Sequence, residues 1–147
     1  MTDRSILLVE DNPDDEALTL RALKKNNILN EVIVARDGAE ALELLFRGDG
    51  ASVPMPSLIL LDLNLPKIDG LEVLRRIRAD QRTKIVPVVV LTSSKLEDDI
   101  LASYQGGANG YVRKPVRFAD FAEAVRALGV FWLLLNEPAP EATPTSD

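Results

Sequence analysis

The chain has 147 residues, a formal net charge of -6, 46% hydrophobic residues, and neither cysteine nor histidine. That length and apolar content suit one globular domain with a real core, and the acidic balance argues against nucleic acid or an anionic membrane as partner. Without Cys and His there is no disulfide framework, no Cys/His zinc site and no histidine acid or base, which leaves carboxylates, lysine and hydroxyls to carry chemistry.

Ser5–Val9 reads as a short buried strand that stops at Glu10-Asp11-Asn12-Pro13. Asn12 is placed to cap a helix that begins at Pro13, and Asp14, Asp15 and Glu16 fall in its first turn, where the helix dipole favours negative charge. Ala17, Leu20 and Leu23 mark its expected buried face, and Asn26-Asn27 ends it. Glu31–Ala35 is the second strand. Asp37-Gly38 turns into a helix carrying Ala41, Leu42, Leu45 and Phe46, and a long loop over 48–56 follows.

Ser57–Leu61 is an almost purely apolar run, as expected of a central parallel strand buried on both faces. It ends on Asp62 and then Leu63-Asn64-Leu65-Pro66. The next helix points Leu71, Leu74 and Ile77 inward and Arg75, Arg76 and Arg78 outward, a solvated face. Val86–Thr92 is the fourth strand, with Pro87 tolerated only near its start. Ser93-Ser94 opens a weaker helix through Ile100, Leu101 and Tyr104. Tyr111–Arg113 is a last short strand ending at Lys114-Pro115. A final helix carries Phe118, Phe121, Ala122, Val125 and Leu128 on one face and runs on through Phe131–Leu135.

Strands and helices alternate throughout, which implies a parallel α/β sheet with helices on both faces. The expected organisation is one domain over 1–136 with an extended final helix, then a disordered Pro/Ala/Thr-rich tail over 137–147. Asp3 and Arg4 precede a run too short for a secretory leader, and no stretch is long enough to cross a bilayer, so a cytoplasmic location is expected.

In such sheets ligands bind beyond the carboxyl ends of the strands. Those ends supply Glu10 and Asp11, then Asp62, then Thr92 and Ser93, then Lys114. Singly, each has an ordinary reading: a helix-dipole acid, a turn cap, a strand threonine, a surface lysine. Together, in a sheet ordered 2-1-3-4-5, they meet in one cleft. Carboxylates so close need a cation, and hard oxygen ligands favour Mg²⁺. Lys114 and Thr92 would then serve phosphoryl oxygens and Asp62 would be the nucleophile.

The motifs Leu7-Leu8-Val9-Glu10-Asp11-Asn12, Leu61–Pro66, Val90-Leu91-Thr92-Ser93 and Lys114-Pro115 resemble those of the two-component response regulator receiver domain, over roughly residues 5 to 130. The resemblance implies a flavodoxin-like doubly wound (βα)5 fold with strand order 2-1-3-4-5. It implies Asp62 as phosphoacceptor, Asp11, Asp62 and the Asn64 backbone carbonyl as Mg²⁺ ligands beside Glu10, and Thr92 and Lys114 as phosphoryl contacts. Tyr111 matches the family's aromatic switch and Pro115 its cis-proline. Glu10 stands where many members have Asp.

The segment Ala35–Leu42, the long loop before Leu58 and the helix ending in Phe131-Trp132-Leu133 are similar to the stand-alone regulators of bacterial and cyanobacterial phytochrome kinases. The implied partner is a sensor histidine kinase of that type, and no nucleic acid. Phe131, Trp132 and Leu135 form an apolar run that one helix face cannot bury alone, and the expected occupant is a second copy. The rival function is a metal-dependent phosphohydrolase with an aspartyl-phosphate intermediate. It would need a second acid where Asn64 stands, and a cap segment that the sequence lacks.

Overall fold

The computed structural model describes residues 5–46, 55–93, 97–114 and 118–129. The elements, in chain order, are β1 (Ile6–Val9), α1 (Pro13–Lys25), β2 (Val32–Ala35), α2 (Gly38–Leu45), β3 (Leu58–Leu61), α3 (Gly70–Ala79), β4 (Val88–Thr92), α4 (Glu97–Gln105), β5 (Gly110–Arg113) and α5 (Phe118–Gly129). The strands form one sheet in the order β2-β1-β3-β4-β5, and every pairing is parallel. The doubly wound fold expected from the sequence is therefore the one observed.

The period of two along each strand divides the core. Leu7, Val9, Ile59, Leu61, Val88 and Val90 face one side and pack with Ala41, Leu42 and Leu45 of α2 and Val73, Leu74 and Ile77 of α3. Ile6, Leu8, Leu58, Leu60, Val89 and Leu91 face the other, against Ala22 and Leu23 of α1 and Ala122 and Val125 of α5. All residues of β1, β3 and β4 are buried. Each large aliphatic side chain so buried contributes about 1.5–3 kcal/mol, and this holds the strand ends in a fixed register.

Asn12 caps α1 as its sequence position implies, its Oδ1 accepting from the Asp14 and Asp15 amides at 2.8 and 3.0 Å. The buried stripe of α1 departs from expectation: Thr19, Ala22 and Leu23 are buried, whereas Ala17 is exposed and Leu20 half-buried. At about 100° per residue Ala17 falls on the side of the helix opposite Thr19, Ala22 and Leu23, and Leu20 falls beyond the edge of that stripe. On α5, Ala122 and Val125 are buried as expected. The side chains of Phe118, Phe121 and Leu128, and all of Phe131, Trp132, Leu135 and the 137–147 tail, lie outside the described residues.

Arg78 does not join the solvated face of α3 with Arg75 and Arg76. It is half-buried and donates to the carbonyls of Gly107, Lys84 and Val86 and to Asn109 Oδ1, at 2.8–2.9 Å. Asn109 Oδ1 also accepts from the Val88 amide at 2.8 Å. The guanidinium thus ties α3 to the amino ends of β4 and β5, opposite the cleft. At the cleft end, Gly70 lets α3 approach the third strand: a Cβ there would stand 2.4 Å from the Asp62 carbonyl oxygen.

Candidate functional site

Register brings the strand ends together. Val9 lies beside Leu61 and Leu61 beside Val90, so Glu10 and Asp62 leave neighbouring strands side by side. Thr92 pairs with Arg113, and the Lys114 amide donates to the Thr92 carbonyl at 2.8 Å. Side-chain alternation points Lys114 to the same side as Val112, the α1 side of the sheet.

Glu10 and Asp62 are buried and Asp11 is exposed, and one carboxylate oxygen from each lies within 4.8 Å of the others. Asp62 uses its two oxygens differently. Oδ1 accepts from Thr92 Oγ1 at 2.8 Å and from the Asn64 amide at 3.1 Å. Oδ2 accepts from Lys114 Nζ at 3.0 Å. Lys114 also donates to Glu10 Oε1 and, at 3.0 Å, to Asp15 Oδ2. Its side chain is only 7% exposed, so the ammonium lies inside the acidic cleft and not on the surface.

Burial pushes the Glu10 carboxyl up, and the neighbouring Asp62 charge adds to this against the opposing pull of Lys114, giving a pKa of about 7. Burial works the same way on Asp62, but the Lys114 charge, the partner Glu10 and the bonds from Asn64 and Thr92 outweigh it and hold its carboxyl below the usual range. Burial opposes the Lys114 charge, yet its Glu10 and Asp62 partners raise its pKa above the ordinary lysine value. Of this pair Glu10 takes up a proton more readily, and Asp62 is the stronger acid. A buried carboxylate held ionised beside an ammonium is what a nucleophilic carboxylate requires.

The acid trio suits a divalent cation: all its donors are hard oxygens, and the exposed Asp11 leaves one side open to water. The ligand expected from Asn64 is its backbone carbonyl. What the structure assigns to Asn64 is its amide, which donates to Asp62, while the residue itself is exposed. Tyr111 is half-buried on β5 and packs against the α2–α3 side of the core. Pro115 lies outside the described residues. Asp15 was not among the site residues read from the sequence, where a first-turn acid is accounted for by the helix dipole alone. The usable signal was its position on the helix that follows β1, whose first turn must return over the same strand ends.

The response regulator receiver domain family model matches residues 6–126. Response regulator Rcp1 of Synechocystis sp. is 46% identical over 129 residues, covering 87% of this chain and 88% of its own length. The phosphorylated cyanobacterial phytochrome response regulator RcpA superposes with a TM-score of 0.88 at 41% identity, over 95% of this chain and 100% of that one. The Mn(2+)-bound form of response regulator Rcp1 superposes with a TM-score of 0.85 at 43% identity, over 93% and 99%. With this fold, these strand-end residues and these relatives, the chain belongs to the response regulator receiver domain family and is similar to phytochrome response regulators.

Proposed function

We propose that the protein takes a phosphoryl group onto Asp62 from the phosphohistidine of a sensor histidine kinase. The observation that carries this reading is the Asp62 carboxylate itself, buried and bonded to Thr92 and Lys114 on separate oxygens. In the reaction a bond forms between an Asp62 oxygen and phosphorus while the phosphorus–nitrogen bond of the donor breaks. The electron pair returns to the imidazole. Lys114 offers its positive charge to the phosphoryl oxygens, and Thr92 offers its hydroxyl.

The hard-oxygen trio suits Mg²⁺, which Asp11, Asp62 and the Asn64 carbonyl would hold with Glu10 beside them; when bound it would neutralise phosphoryl charge. The chain assists its own phosphorylation and dephosphorylation and is not a turnover enzyme. Thr92 and Tyr111 form the switch that reports the phosphate to other proteins. The phytochrome regulator named above supports a phytochrome-type kinase as donor; the cytoplasmic setting rests on the sequence alone. Among the described residues no helix is long and apolar enough to cross a membrane. Phe131, Trp132 and Leu135 pair two copies through the last helix, a reading that rests on the sequence; light scattering on Trp132→Glu tests it, and an unchanged dimer refutes it.

The central test is intact mass after incubation with Mg²⁺ and a small phosphodonor such as acetyl phosphate. One hydroxylamine-labile phosphate is expected on the wild type and none on Asp62→Asn. An adduct that survives that substitution rejects Asp62 as acceptor. Transfer from an autophosphorylated phytochrome kinase, at a rate above that from an unrelated histidine kinase, tests the donor.

A further inference from the structure

Lys114 Nζ has three N–H bonds, and three carboxylates accept them: Glu10, Asp62 and Asp15. The first two belong to the acid trio suited to a metal. On the phosphoacceptor reading, both change partners as the protein works: a cation takes oxygens of Glu10 and Asp62, and phosphorylation turns the Asp62 carboxylate into a mixed anhydride with less charge to offer. Asp15 stands outside the trio, so neither event claims its oxygens.

Asp15 is also rigidly mounted. Its amide is held by the Asn12 cap at 3.0 Å, and its carbonyl accepts from Thr19 Oγ1 at 2.9 Å. Its side chain is 36% exposed, at the rim of the cleft, where it meets a lysine that is 7% exposed. Lys114 leaves the end of β5 and must span the cleft to meet α1. A flexible four-carbon stem there loses its direction unless something fixes the far end.

We infer that Asp15 is a positioning residue for Lys114: it anchors the ammonium on the α1 side of the cleft throughout the reaction, leaving the other two N–H bonds to turn from Glu10 and Asp62 toward phosphoryl oxygens. The inference rests on the proposed role of Asp62 and adds a residue that acts only through Lys114.

Two measurements separate the ideas. The first uses the metal-free protein and no phosphate: exchange of the Lys114 ammonium protons with solvent, followed by NMR. Asp15→Asn is expected to speed this exchange about fivefold or more, the scale of a partly exposed ion pair, and Asp15→Glu to restore most of the protection. The second is the rate of phosphorylation by acetyl phosphate with Mg²⁺. Asp15→Asn is expected to slow it about fivefold, with Asp15→Glu partly restoring it. In a Lys114→Met background the same substitution is expected to change nothing further.

An Asp15→Asn rate equal to or above the wild type, or effects of the two substitutions that multiply, overturns the inference. So does unchanged ammonium exchange. Failure of the wild type itself to take phosphate overturns the phosphoacceptor reading instead. A merely structural role would lower thermal stability and slow the Lys114→Met protein equally, and that outcome also counts against positioning.

Discussion

Thr92 Oγ1 donates to Asp62 Oδ1 across 2.8 Å, joining the ends of β4 and β3 through the oxygen that Lys114 leaves alone. A change at the Asp62 carboxylate is therefore felt on β4, and Tyr111 on the neighbouring β5 pairs with Val90 two residues back from Thr92. Thr92→Val keeps the side-chain shape but removes a donor from a buried anion, which costs about 1–3 kcal/mol in urea unfolding. The variant is expected to take phosphate on Asp62 while the Tyr111 ring resonances fail to shift on addition of beryllofluoride and Mg²⁺. Thr92→Ser is expected to restore the shift. A wild-type shift in the valine variant would mean that Thr92 does not couple the two.

Divalent cation should stabilise the fold. Binding at a hundred times Kd adds about 2.7 kcal/mol, which appears as a rise in Tm that a chelator reverses. Asp11 is exposed, so Asp11→Asn is expected to leave the metal-free stability within about 0.5 kcal/mol of wild type while removing most of the rise in Tm. The effect should depend on pH. Glu10 has a pKa of about 7 without metal, and a ligating carboxylate must give up its proton. Below that pH proton and cation compete; above it they do not. Mg²⁺ affinity, read by titration calorimetry, should therefore be higher at pH 8 than at pH 6.

What the sequence made legible was what depends on period and chain order. Apolar runs gave the strands, and their ends gave Glu10, Asp62, Thr92 and Lys114, because a parallel sheet delivers all its carboxyl ends to one edge. Asn12 was readable because a cap is a local device. Arg78 was not: its partners are carbonyls of the turns before β4 and β5, and helical spacing shows only which way a residue leaves the helix, not where a long side chain folds back. Asp15 was hidden for a different reason. The dipole of α1 already explains an acid in its first turn, so nothing local asked for a second partner. Ala17 was misplaced because the buried stripe of α1 runs through the polar Thr19 with Ala22 and Leu23, and helical spacing puts Ala17 on the opposite face.

Arg78 should matter to stability far more than its neighbours. Arg78→Met removes the donor from three backbone carbonyls and from Asn109 Oδ1, which keeps only its Val88 amide, and is expected to cost about 2–4 kcal/mol. Arg78→Lys cannot reproduce the planar fork and should recover only part of the loss. Gly107→Ala attacks the same junction: Gly107 has φ of 103°, and a Cβ there would lie 2.8 Å from the Arg78 Cγ. Urea midpoints with unchanged m-values measure both. Arg75→Met, on a pair exposed to solvent, should stay within about 0.5 kcal/mol of wild type.

Asp37 gives a pH dependence that is separate from the cleft. It caps α2, its Oδ1 accepting from the Glu40 amide at 2.7 Å, and it pairs with Lys67 at 3.4 Å. The Glu40 amide bond is the main cause that holds its carboxyl below the usual aspartate value, burial opposing it and the Lys67 charge assisting. A carboxyl depressed on folding adds stability that is fully present above its unfolded pKa of 3.8 and is lost as pH falls through the lower folded value. Asp37→Asn keeps a capping oxygen but has no proton to take up. The wild type should therefore lose more stability than Asp37→Asn between pH 5 and pH 2.5, and the two urea midpoints should converge at the acid end. Parallel curves would mean that the Asp37 charge does not contribute to the cap.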